Sequence, residues 1–181
     1  MNTMKDLLKK YLEKQKNDVV LLDLDKESLQ YDSRIKQHRK INKITGPEEY
    51  VRAFLIARLV NELGYKPEYI EIEKEYDIGR PKVNRPRIDV IVRDPSGNAF
   101  LYIEIKSPEE FEKNKDEVIE KQLFNLAAQE VGQGKKVKYL VLYTFEESGN
   151  ELKDKALIID YEKYNSFEKW TQTREATNEI P

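Results

Sequence analysis

Asp89 interrupts an otherwise apolar run, Ile88-Asp89-Val90-Ile91-Val92, although aspartate is depleted in strands. Fifteen residues later Glu104-Ile105-Lys106 closes a second apolar run that begins at Phe100. Residues two apart on a strand share a face, so Glu104 and Lys106 point together, with Ile103 and Ile105 on the other side. Between the runs, Asp94-Pro95-Ser96-Gly97-Asn98 has the composition of a turn. A hairpin turning there brings Asp89 opposite the Glu104-to-Lys106 stretch. Two carboxylates so placed raise each other's pKa unless a cation sits between them. Oxygen ligands without His or Cys suit Mg²⁺, with Mn²⁺ as a substitute. A cation held this way activates water and stabilises charge on a phosphoryl oxygen. Lys106 would orient and help deprotonate the attacking water, or stabilise the pentavalent phosphorane. The competing reading is an alternating strand whose polar face merely meets solvent.

Composition narrows the field. The chain has 181 residues, which suits one domain, and it holds no Cys and a single histidine, His38. Disulfides, thiolate zinc sites, cysteine nucleophiles and His-rich metal sites are therefore excluded. Charged residues are 36% and hydrophobic residues 39%, a globular balance. The longest apolar runs span only a few residues, so no membrane span is expected. Met1 to Asp6 lacks a signal-peptide apolar region, and the expected compartment is cytoplasmic. No Gly-x-x-x-x-Gly-Lys-[Ser/Thr] loop occurs, so no ATP site is expected in this chain.

Net charge is only −2, but the bases are clustered. Arg34, Lys36, Arg39, Lys40 and Lys43 fall in one stretch without an acid, as do Arg80, Lys82, Arg85 and Arg87 in another. Lys135, Lys136 and Lys138 form a third group. These read as solvated loops or, beside a chemical site, as phosphate-binding arms.

The elements that must position these residues follow from periodicity. Asn2 to Lys16 reads as an amphipathic helix, Val19 to Leu22 as a short strand, and the stretch through Lys43 as irregular. Pro47, Glu48 and Glu49 suit the first turn of a helix after Thr45 as a cap. Val51, Phe54, Leu55, Leu59 and Leu63 recur at helical spacing, and Gly64 suits a left-handed end. Strands are expected over Tyr69–Tyr76, Ile88–Val92, Phe100–Lys106, Tyr139–Tyr143 and Ala156–Asp160. A helix from about Asp116 to Val131 places Gln122 on its apolar stripe, where an amide must find partners. The order implies an α/β fold, an α/β/α sandwich around a mixed β-sheet flanked by helices. Residues 1–43 read as an extension of the same domain, 44–165 as its core, and 166–181 as a polar tail or a linker cut from further domains.

The series Thr45-Gly46-Pro47-Glu48-Glu49-Tyr50-Val51-Arg52, Leu63-Gly64-Tyr65, Arg85-Pro86-Arg87-Ile88-Asp89 and Glu104-Ile105-Lys106-Ser107-Pro108 resembles the PD-(D/E)XK nuclease superfamily. More closely, it resembles the N-terminal nuclease domain of type I restriction enzyme R subunits, over about Ile44 to Tyr143. The resemblance implies a restriction-endonuclease-like sheet. It also implies Asp89, Glu104 and the Ile105 backbone carbonyl as metal ligands, and Lys106 as the catalytic lysine. Glu48 matches a helical glutamate placed near the metal; alternatively it pairs with Arg52 at i+4. Gln122 matches a glutamine that reaches the site, or is a satisfied core amide. Leu126 stands where the family's fuller motif has Tyr, and Ile88 where it often has Pro.

The function expected is thus metal-dependent cleavage of double-stranded DNA, with Arg80, Lys82, Arg85 and Arg87 on backbone phosphates. Target choice would come from a motor, methyltransferase or specificity module in the same polypeptide or complex. A catalytically silent DNA-binding module and a partner-interaction domain are the alternatives.

Overall fold

Thr3 accepts a hydrogen bond from the Asp6 amide (3.3 Å), and the Asp6 carboxylate accepts from the Thr3 amide (2.9 Å). This reciprocal cap starts α1 (Met4–Glu13), which buries Leu7 and Leu8. The computed structural model describes residues 3–77 and 85–181, so Arg80 and Lys82 lie outside the described residues. After α1, β1 (Val20–Asp23) pairs antiparallel with β2 (Ser28–Tyr31), and β3 (Lys36–Gln37) follows. The stretch expected to be irregular therefore carries two strands. Leu29 and Tyr31 alternate inward along β2, and that local pattern supports the pairing.

Helix α2 (Pro47–Asn61) starts from Gly46, not Thr45, whose hydroxyl instead donates to Glu49 Oε1 (2.6 Å). It is buried on nearly every side, because the sheet packs on one flank and α1 with β1 on another. Gly64 has φ 76°, the left-handed geometry expected after the helix.

The main sheet has six strands in the order β3-β4-β5-β6-β7-β8. Its members beyond β3 are β4 (Ile70–Glu75), β5 (Arg87–Arg93), β6 (Ala99–Ile105), β7 (Val137–Ser148) and β8 (Glu151–Asp160). The β3–β4 and β6–β7 pairs are parallel and the others antiparallel, so the sheet is mixed. The β6-to-β7 crossover carries α3 (Lys115–Val118), a π-helical segment (Ile119–Phe124) and α4 (Asn125–Gly132). One core cluster joins α2 to Val90, Val92, Ile103 and Ile105; the other joins the crossover helices to Ile91, Tyr102 and Leu140. Helices thus cover both faces, as the sequence predicts. Among the described residues no helix is long and apolar enough to cross a membrane.

Residues 166–181 pack back on this body, where the sequence suggests a polar tail. Ser166 caps α5 (Phe167–Thr171), and Trp170, only 2% exposed, lies among Phe124 and Phe167. Trp170 Nε1 donates to the Glu175 carbonyl (2.9 Å), and Thr177 bridges to Ile158. Trp170 and Phe167 against Phe124, with the Arg174–Asp116 ion pair, hold an otherwise polar segment to the body.

Candidate functional site

The β5–β6 turn closes at Asp94: its carbonyl accepts from the Gly97 amide (φ 81°), its amide donates to the Asn98 carbonyl, and its carboxylate accepts from the Asn98 amide. The pairing Val90↔Ile103 fixes the register and, one step on, sets Asp89 opposite Glu104. Asp89 Oδ2 accepts from the Ile105 amide (2.7 Å). Lys106 Nζ donates to Glu104 Oε1 (2.8 Å). The three residues named from spacing therefore meet at one end of a central strand pair. Glu104 is 4% exposed, which overturns the reading of a polar face in solvent.

The second carboxylate oxygen, Glu104 Oε2, is buried without a hydrogen-bond partner. Burial, and then the Asp89 charge, push Glu104 well above the usual carboxylate range, against the pull of Lys106. For Lys106 burial works downward, but Glu104, Glu48 and Asp89 outweigh it and hold the ammonium above its ordinary value. Both directions describe a site with concentrated negative charge and one naked oxygen.

Glu48 projects from the first turn of α2, with Oε1 3.9 Å from Lys106 Nζ, and burial raises its pKa. The Glu48–Arg52 pair weighed from the i+4 spacing does not form, because Arg52 turns the other way. Among the described residues no three Asp, Glu, His or Cys side chains gather closely enough to hold an ion. The carboxylates that could hold a cation are those of Asp89 and Glu104, and Glu48 stands off beside Lys106. These are hard oxygen donors, and the unpartnered Glu104 Oε2 is a coordination point that protein hydrogen bonds do not use. The set fits Mg²⁺ or Mn²⁺, with waters and substrate oxygens completing the shell.

Gln122 lines the same cavity, of about 740 Å³, from the crossover side. Its Oε1 is buried and unpartnered, so it is not a satisfied core amide. A continuous α-helix was expected here, and instead Gln122 sits in the π-helical segment, which re-aims side chains over its turn.

Two residues escaped the sequence reading. Arg52, 4% exposed, donates through Nη2 to Glu73 Oε1 (2.6 Å) and to Asp89 Oδ1 (3.1 Å). Glu73 occupies a left-handed backbone conformation, φ 57°, in the middle of β4. A non-glycine residue there is strained, and the ion pair to Arg52 holds it in place. The available signal was an arginine embedded in the apolar stretch Val51 to Ile56.

Arg85 and Arg87 are two of the four bases expected on backbone phosphates. Both line the cavity, but Arg85 pairs with Asp77 (3.2 Å) and Glu75 (3.7 Å), and Arg87 with Glu73 (3.3 Å).

A family model described as type I restriction enzyme R protein N terminus (HSDR_N) matches residues 47–169, more than half of the chain. The match contains α2, β4 to β8 and every side chain of the constellation from Glu48 to Gln122. A search of curated proteins finds no match. The chain belongs to the type I restriction enzyme R protein N-terminus family.

Proposed function

We propose that this chain is the metal-dependent endonuclease module of a restriction system, hydrolysing phosphodiester bonds in double-stranded DNA. The observation that carries the reading is the buried Asp89–Glu104 pair with Lys106 bonded to one Glu104 oxygen while the other is unpartnered. Family membership supports the restriction-system role. Asp89, Glu104 and the Ile105 carbonyl would hold Mg²⁺ or Mn²⁺, which when bound supplies Lewis acidity to a phosphoryl oxygen and acidifies water.

The chain's own groups do the rest. The Ile105 amide and Arg52 fix both oxygens of Asp89, so its carboxylate is oriented before substrate arrives. Lys106, bonded to Glu104 Oε1, would orient the attacking water or donate to the pentacoordinate phosphorane. Attack by water would form one new P–O bond and break the bond to the leaving ester oxygen; the proton given up by the water passes to solvent, and solvent supplies the proton that the leaving oxygen takes up. Gln122, which lines the cavity with its Oε1 unpartnered, would accept from the attacking water. Sequence choice would lie with a motor, methyltransferase or specificity module.

Plasmid nicking tests the proposal, with Mg²⁺, Mn²⁺ or EDTA and with Lys106→Ala alongside. Cutting by the wild type that needs the metal and vanishes in the variant supports it. Equal activity in the two proteins removes it.

A further inference from the structure

The cavity floor holds Glu48, Glu73, Asp89 and Glu104 against Arg52 and Lys106. An anionic backbone brought to that floor is repelled unless bases at the rim compensate. The bases on the β5 side are already engaged: Arg85 with Asp77 and Glu75, and Arg87 with Glu73. A second set of bases is different. Arg39, Lys40 and Lys43 line the same cavity, are exposed, and make no ion pair among the described residues.

These three sit on an arch pinned at both ends. At one end the His38 amide donates to the Ile72 carbonyl (3.1 Å), extending the β3–β4 pairing. At the other, Lys43 bridges to Ser28, and the Ile44 amide donates to the Glu27 carbonyl (2.9 Å). Between them Ile41 packs against the core, and its amide donates to Gln37 Oε1 (3.1 Å). The backbone is thus ordered before any ligand arrives, so binding costs mainly side-chain entropy.

Resting on the nuclease reading, we infer that the arch 38–43 is the DNA-backbone clamp of this site, with Arg39, Lys40 and Lys43 as its phosphate contacts. Such contacts position a duplex without reading its sequence. The Arg85–Arg87 side contributes less, because each phosphate contact there must first displace a carboxylate.

The experiment compares wild type, the triple variant Arg39→Gln/Lys40→Gln/Lys43→Gln, and a charge-matched control, Lys135→Gln/Lys136→Gln/Lys138→Gln. Anisotropy of a labelled DNA duplex is titrated in EDTA over a range of salt, and plasmid nicking is run separately with Mg²⁺. Each lost contact removes about 0.9 from the log–log salt slope, so the arch variant drops by about 2 to 3 and binds at least about tenfold more weakly at low salt. The control keeps the wild-type slope, and Arg39→Lys/Lys40→Arg, which preserves charge, keeps most of the affinity. An arch variant that binds like wild type overturns the clamp, and wild-type nicking then leaves the nuclease reading standing. Wild-type protein that binds no duplex in EDTA also overturns the clamp; if it nicks with Mg²⁺ the nuclease reading survives, and if it does not, both fall.

Discussion

Arg52 is the residue on which the site's geometry most depends, and its removal has a calculable cost. Its side chain is 4% exposed, and its partners Glu73 and Asp89 are 11% and 17% exposed. Deleting one member of a buried pair costs about 3–5 kcal/mol, because the remaining charge stays desolvated. Arg87 lies 3.3 Å from Glu73 and takes up part of the loss, which places Arg52→Met near the lower end, at about 3 kcal/mol. Against a total stability of about 5–15 kcal/mol, that is a large fraction. Glu73→Gln removes the orphaned charge, so the double variant Arg52→Met/Glu73→Gln should recover about 2 kcal/mol relative to the sum of the single changes. Urea unfolding followed by Trp170, the single tryptophan, reads all four corners of the cycle. Under folded conditions Arg52→Met should also raise the Mg²⁺ concentration needed for nicking, since Asp89 loses one of its two donors. A single-variant loss under about 1 kcal/mol, or strictly additive losses, would refute the assignment of Arg52 as the buried clamp on Glu73 and Asp89.

Glu104→Gln should melt above wild type in EDTA, because it relieves a buried charge beside Asp89, and should abolish nicking. Mg²⁺ at a hundredfold excess over Kd should stabilise wild type by about 2.7 kcal/mol, read as a higher melting temperature, and should leave this variant unchanged; a matching rise in both denies Glu104 a ligand role. Glu71 gives a pH signature away from the site. Burial pushes it up, but hydrogen bonds from Arg93 and His38 and the charges of Arg93 and Lys36 bring it down to about 2. A depressed carboxylate stabilises the fold above its unfolded value of 4.5, and that stability is lost as pH falls from there towards about 2. After discounting for solvent screening, about 1–2 kcal/mol should disappear across this window in wild type and not in Glu71→Gln, measured by urea midpoints. Trp170→Ala should cost about 3–5 kcal/mol, whereas no loss would mean that residues 166–181 do not hold to the body in solution.

The amino-acid sequence by itself determined the alternation that makes β5 and β6, the turn at Asp94 to Asn98, and hence the meeting of Asp89 with Glu104 and Lys106. These are local facts: period-two geometry and a short hairpin fix register within about twenty residues, leaving little for distant packing to alter. Helix α2 was legible for the same reason, through its apolar spacing, its proline start and the glycine beyond its end. Distant contacts decided what spacing cannot encode. Arg52 could have reached Glu48 along its own helix, but burial turned it to Glu73 on β4 and Asp89 on β5. The crossover helix that carries Gln122 is interrupted by a π-helical turn, and no periodic signal announces that turn. Of two basic stretches with similar composition, packing ties the described bases Arg85 and Arg87 to acids and lays Arg39, Lys40 and Lys43 along the same cavity without acid partners among the described residues. Charge counts along a chain cannot make that distinction, since the partner of a charge is chosen by whatever strand folding brings beside it.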